Sequence, residues 1–171
     1  SDYFERAIAL RYIQKDSAYY YLDEALIYAQ ELEDYSDALE ILFQSIFING
    51  QYSDMEQWRF NLDKMEAMLQ KESLIKNVEY LEYYQNRAVY EKGSYLFELK
   101  DYQQAKKEFL GVYKSFGQKE INALDAFDLQ ILVNTSNFLA SIYMNTGKYD
   151  LAENYYNQSL SYIEQNKFGI T

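Results

Sequence analysis

Five side chains in one short stretch combine hydrogen-bonding chemistry with helical spacing: Gln130, Asn134, Asn137, Ser141 and Asn145. At about 100° per residue they fall on one stripe with Phe127 and Phe138 beside it, while Leu129, Leu132, Leu139, Ala140 and Tyr143 take the opposite side. Solvated helix faces are ordinarily filled with Glu and Lys, and Asn is a poor helix former, so three Asn on one stripe need a reason. A carboxamide both donates and accepts, which lets it pair with the main chain of an extended peptide whatever its side chains, and the nearby Phe supplies apolar contact. The alternative is a plain solvated face in an organism whose genome favours Asn and Tyr codons.

Catalytic chemistry is poorly served. The chain has no His and no Cys, which removes the commonest general base, a thiol nucleophile and most transition-metal sites. Its acids are scattered at solvated helical spacing and no Gly-rich phosphate loop occurs, so the expectation is a protein that is not an enzyme and needs no cofactor or metal. Tyr19-Tyr20-Tyr21 and the group Tyr80, Tyr83 and Tyr84 lack the Lys and Arg that a base-stacking platform depends on, and read as packing residues. Trp58 beside Arg59 is a candidate surface anchor for a partner or a second subunit.

Charge and hydropathy narrow the partners. A net charge of -11, from 27 acidic and 16 basic residues, repels phosphate backbones and anionic headgroups, so direct nucleic-acid binding is not expected. No apolar run approaches the roughly 20 residues that span a bilayer, and no basic-then-apolar leader opens the chain. A soluble, cytoplasmic protein without a membrane segment is expected, and the Ser at position 1 suggests a domain excised from a longer protein.

The elements that must carry these side chains are helices. With no Pro, only 6 Gly and 49% apolar residues, including 20 Tyr and 10 Phe, the 171 residues suit one continuous helical core spanning 1–171. Apolar spacing predicts eight helices in four pairs, at roughly 2–14 with 16–33, 36–49 with 52–71, 75–99 with 102–116, and 120–146 with 149–166. A turn element recurs ahead of a helix, as Gly50-Gln51-Tyr52-Ser53-Asp54-Met55, Lys100-Asp101-Tyr102-Gln103-Gln104-Ala105 and Gly147-Lys148-Tyr149-Asp150-Leu151-Ala152. Gly50, Gly117 and Gly147 are expected to end helices in the left-handed conformation, and Ser53, Asp101 and Asp150 to cap the next ones; the junction near Asn77 has no Gly. In the second helix of each pair a small residue precedes a bulky one by four, as in Ala18 with Leu22, Ala105 with Phe109 and Ala152 with Tyr156, and Met55 with Arg59 breaks the rule.

Leu139-Ala140, Tyr143, Gly147, Tyr149, Ala152, Tyr156 and Leu160 resemble the tetratricopeptide (TPR) consensus, and Gly93, Leu96, Tyr102, Ala105 and Phe109 match it less completely. The resemblance implies an all-α solenoid, a right-handed superhelix of about four stacked antiparallel helix pairs. Tetratricopeptide units repeat at about 34 residues, whereas Ala18, Met55, Ala105 and Ala152 stand 37, 50 and 47 apart. Tyr35-Ser36-Asp37-Ala38 fits the same Tyr-x-x-Ala pattern and would shift the first two pairs by one helix.

Long, degenerate repeats of this style resemble the carboxy-terminal sensor domains of Gram-positive Rgg/PlcR-type transcription regulators and the related Rap proteins. That resemblance implies a ligand-binding sensor domain for a quorum-sensing peptide, with the DNA-binding domain absent from this chain; the alternative is a protein–protein interaction scaffold with no small ligand. The tetratricopeptide pattern places the α-helical stripe of Asn134, Asn137, Phe138, Ser141 and Asn145 on the inner, ligand-facing side. On the fifth helix it places Arg87, Tyr90, Glu91, Ser94 and Phe97 there, and on the third Glu40, Ile41, Gln44 and Phe47. Arg87 can take a peptide carboxylate and Glu91 an amine, or the two form an i,i+4 ion pair. The family's chaperone clamp needs Lys that Asn137, Ser141 and Asn145 do not include, so that use is disfavoured. The implied partner is a short peptide or a partner-protein segment, and a homodimer is also compatible with exposed hairpin faces.

Overall fold

The computed structural model describes residues 2–76, 78, 80–116 and 124–168, with Phe127 and residues 165–168 described in backbone only. Among the described residues there are nine helices and no strand: α1 (Asp2–Leu10), α2 (Lys15–Glu31), α3 (Tyr35–Gln51), α4 (Met55–Gln70), α5 (Glu72–Ile75), α6 (Leu81–Glu98), α7 (Tyr102–Phe116), α8 (Ala126–Asn145) and α9 (Tyr149–Phe168). The expected all-α, tetratricopeptide-like architecture is thus found. One expected helix, 75–99, is broken: Lys71 is extended after α4, α5 is a single turn, and Tyr80 takes a left-handed φ of 56° before α6 starts. Asn77, Gly117 and the first residues of the expected helix 120–146 lie outside the described residues. Where α8 begins, the Asp125 carboxylate accepts the Asp128 N–H at 2.8 Å, a cap not expected from the sequence.

Four turns share one construction. Glu33, Ser53, Lys100 and Gly147 each have positive φ, of 55°, 54°, 63° and 71°. The next N–H in each turn, from Asp34, Asp54, Asp101 and Lys148, bonds back to Ala29, Asn49, Leu96 and Tyr143 at 2.8–3.0 Å, closing the helix end in a Schellman arrangement. Asp34, Asp54 and Asp101 then cap the following helix by accepting the N–H of Asp37, Gln57 and Gln104 in turn.

These turns correct three expectations. Gly50 lies inside α3 and does not end it; Ser53 holds the left-handed position and Asp54 is the cap; and Asp150 lies inside the first turn of α9, with Lys148 at the boundary. A non-Gly residue tolerates the left-handed well because the two bonds of the turn offset its steric cost.

The turns also show why two repeat registers fit the sequence. The residue four past each boundary donates to it: Ala18 to Gln14, Ala38 to Asp34, Trp58 to Asp54, Ala105 to Asp101 and Ala152 to Lys148. Both sequence signals are therefore real, since α3 is the second helix of one pair and the first of the next. Trp58, rather than Met55, is the counterpart of the alanines. Ala18, Ala38, Ala105 and Ala152 are fully buried, where a small side chain lets helices approach. In α4 the size is reversed: Trp58 is large, and the small partner is Gly50, whose missing Cβ would meet the indole at 3.2 Å. Trp58 is 6% exposed and is a core residue, not a surface anchor.

The chain divides into two compact units, 1–88 and 89–171. In the first, α1 to α4 pack each on the next around Leu22, Leu39, Leu42, Phe43, Ile46 and Met65, all almost fully buried; each such side chain contributes about 1.5–3 kcal/mol. Tyr84 stacks on Phe43 with centroids 5.7 Å apart, as its reading as a packing residue requires, whereas Tyr20 and Tyr80 are exposed. In the second unit α8 packs between α7 and α9, over a core of Ala105, Phe109, Leu139 and Ile142.

Candidate functional site

The α8 helix divides as its sequence implies. Leu129, Leu132, Leu139 and Ala140 are buried, Asn134, Asn137 and Ser141 are half-buried, and Gln130 and Asn145 are exposed. The amide stripe does not face open solvent along its middle. Asn134, Asn137, Phe138 and Ser141, together with Tyr90 and Phe97 of α6, line a groove of about 360 Å³.

Its floor is aromatic and continuous with the core. Phe138 stacks on Phe109 at 4.8 Å and meets Phe97 edge-on at 5.0 Å, with Tyr90 tilted against both Phe109 and Phe138 at 6.1 Å. Such ring pairs add about 0.5–1.5 kcal/mol each beyond area burial, so the floor is held in place before any ligand arrives. Above it the polar groups differ in commitment. Gln130 donates its amide to the Asn134 carbonyl oxygen at 3.0 Å, and Ser141 shares a 3.4 Å hydrogen bond with the Tyr156 hydroxyl. The Asn137 carboxamide has no hydrogen-bond partner among the described residues.

The remaining expected residues do not line this groove. Glu91 is buried at 7% exposure, and the Ser94 hydroxyl donates to the Tyr90 carbonyl at 3.0 Å, which turns it to its own helix. Asn145 stands exposed at the end of α8. Arg87 belongs to the first unit: it donates to the Tyr83 hydroxyl at 2.7 Å, and its guanidinium lies 4.9 Å from the Phe43 ring centre. Also in that unit, Arg11 donates to Gln44 and Gln44 to Glu40, so the expected third-helix residues are joined to α1.

A second groove, which sequence reasoning missed, lies in the first unit between α2 and α4 with α3 beneath. Lys15 donates to Asp54 at 2.9 Å across its end. That bond holds the Asp54 carboxyl below its ordinary range and the Lys15 ammonium above its own. Buried Asn49 donates to the Tyr19 hydroxyl and accepts from Asn61 at 3.0 Å, joining three helices through one carboxamide. Burial raises the Tyr19 phenol, against the lowering effect of its bond from Asn49. The walls of this groove are far apart in sequence, so periodicity within one helix carries no sign of it.

Residues 134–166 match the tetratricopeptide repeat family. The match covers the asparagine stripe of α8 from Asn134 onward, the Gly147 turn and most of α9, so α8 aligns with the first helix of a tetratricopeptide repeat and α9 with the second. No curated protein and no solved structure matches the chain. Outside the matched segment the same turn closes at Glu33, Ser53 and Lys100, which carries the tetratricopeptide-like description to the other hairpins. Among the described residues no helix is long and apolar enough to cross a membrane.

Proposed function

We propose that the chain is a protein-interaction module whose α6–α8 groove holds a short extended peptide. The observation that carries the reading is the meeting of Asn134, Asn137, Phe138, Ser141 and Tyr90 around one groove, with Asn137 half-buried and unpartnered among the described residues. A half-buried carboxamide that bonds no described residue is poised to pair with a peptide main chain, and the Phe138 ring beside it supplies sequence-independent apolar contact. At 360 Å³ the groove lies at the lower end of the range of about 300–1,000 Å³ for ligand sites, so it suits a few residues of a segment.

The finer reading is a sensor. We infer that the segment is a signalling peptide and that the chain serves a cytoplasmic transcription regulator, with the long, Pro-free repeats as support. Selection of random displayed peptides on the purified chain, followed by titration of a synthetic winner into isotope-labelled protein, tests the binding step. The reading expects amide shifts centred on Asn134, Asn137 and Phe138. Failure to select any peptide, or shifts confined elsewhere, would overturn it.

A second reading, a scaffold for a folded partner, is favoured by the exposed face of α9, where Tyr149 and Leu160 are 65% and 57% exposed. Exposed large apolar side chains grouped on one helix suit a partner surface.

A further inference from the structure

The groove between α2 and α4 is the larger of the two, about 920 Å³, and lies wholly within the first unit. Both walls pack on α3, and the Lys15–Asp54 bond ties their first turns together, so α2 and α4 run in the same direction. From Lys15 to Gln30, at about 1.5 Å per residue, the trough extends about 22 Å. Half of a helix cylinder about 10 Å across and that long has a volume of about 860 Å³. The trough therefore has the length and capacity for a helix sunk to its axis.

Its chemistry is graded along that length. The end near the first turns is polar, with Lys15, Asp16, Asp54 and Gln57, whereas the far half exposes Ile27 and Ala67 over the buried Leu26 and Met68, with Gln30 at its tip. Leu26 and Met68 are themselves buried, but Ile27 and Phe60 remain 53% and 52% exposed, so the chain leaves these two apolar side chains uncovered. Midway, Asp23 on α2 and Lys64 on α4 both line the trough. Among the described residues neither forms an ion pair, and the Lys64 ammonium rests 4.3 Å from the Phe60 ring centre.

We propose that this trough docks an amphipathic helix of a partner protein. The helix lies along α2 and α4, sets its apolar side chains on Ile27, Phe60 and Ala67, and offers a carboxylate to Lys64. This is helix-in-groove recognition, in which apolar anchors spaced i, i+3 and i+7 supply affinity and the charge sets register. The proposal does not depend on the α6–α8 groove.

The test uses the whole chain and two designed helical peptides of about four turns. Each carries Leu at i, i+3 and i+7 in one half, the first or the second, and Glu on the same face in the other half. The proposal expects one of them to bind, with amide shifts confined to α2, α3 and α4. Lys64→Glu should weaken it at least tenfold, and exchange of the peptide's Glu for Lys should restore binding to that variant. Circular dichroism checks that the variant is folded. Phe60→Asp provides a second, independent loss. Binding by neither peptide would overturn the proposal. So would binding indifferent to both Lys64→Glu and Phe60→Asp. A doubling of the free chain's mass that Phe60→Asp abolishes would make the occupant a second copy and would equally overturn it.

Discussion

The rings of Phe138 and Phe109 stack with centroids 4.8 Å apart and planes 9° from parallel. On the α6 side of Phe109 stands Gly93, where a Cβ would come within 2.7 Å of the ring. Phe109 is fully buried and cannot swing away, so the floor of the α8 groove is fixed by the absence of a side chain on α6. Gly93→Ala should cost about 1–3 kcal/mol of stability through overpacking, despite the better helix propensity of Ala. Urea unfolding measures this, and an unchanged or raised midpoint would show that the ring has room to move.

The four equivalent turns permit an internal comparison. Lys100 bears the left-handed steric cost at φ 63°, whereas Gly147 at 71° does not. Lys100→Gly should therefore be neutral or stabilising by up to about 1 kcal/mol, and Gly147→Ala destabilising by about 1–2 kcal/mol. Thermal unfolding of the two variants should show shifts of opposite sign or, at least, a clear gap between them.

Asn49 is a single carboxamide on which two other polar groups depend. Asn49→Ala strands the Tyr19 hydroxyl and the buried Asn61 amide together, at about 1–3 kcal/mol for each unsatisfied group. Asn134→Ala, on a half-buried surface, should leave stability nearly unchanged. Comparable denaturation midpoints for these two variants would argue against the network.

Buried phenols make stability depend on alkaline pH. Burial pushes Tyr84 up to about 12, with smaller upward contributions from Glu40 and other nearby groups, and burial also raises Tyr113, Tyr155 and Tyr19. In the unfolded chain these phenols lose their protons near about 10 while the folded chain keeps them, so stability is full below that pH and falls as pH rises toward about 12. At the acid end the sign reverses. The depressed Asp54 carboxyl contributes stability above about 4 that is lost as pH falls through its lower folded value. Thermal midpoints across pH, read beside phenolate absorbance, should show the alkaline decline coinciding with late tyrosine ionisation.

Much of the fold was legible because its signals are local. The spacing of Asp101 and Ala105, or of Gly147 and Ala152, reports a turn and the close approach that follows it within a few residues. Gly50 misled because glycine's preference for a left-handed helix end is only a tendency. Here Ser53 takes that position and Gly50 makes space for Trp58 across the turn, a fit visible only when both helices are placed. The amide stripe of α8 was legible from helical period alone, and so was its separation from Leu132 and Leu139. Glu91 and Ser94 were harder, since i,i+3 and i,i+4 spacing groups them with Tyr90 but does not say that Ser94 bonds back to its own helix. The α2–α4 trough depends on Asp54 meeting Lys15 over 39 positions, which no pattern within one helix reveals.

The most direct test of peptide binding in the α8 groove is the affinity of a selected peptide for the native chain and for Asn137→Ala, measured by calorimetry with both proteins shown to be folded. The expected result is a loss of about 1–3 kcal/mol in binding free energy with unchanged thermal stability, because the carboxamide bonds the peptide and not the fold. Equal affinity in the folded variant would contradict this and remove the α8 groove as the site of binding.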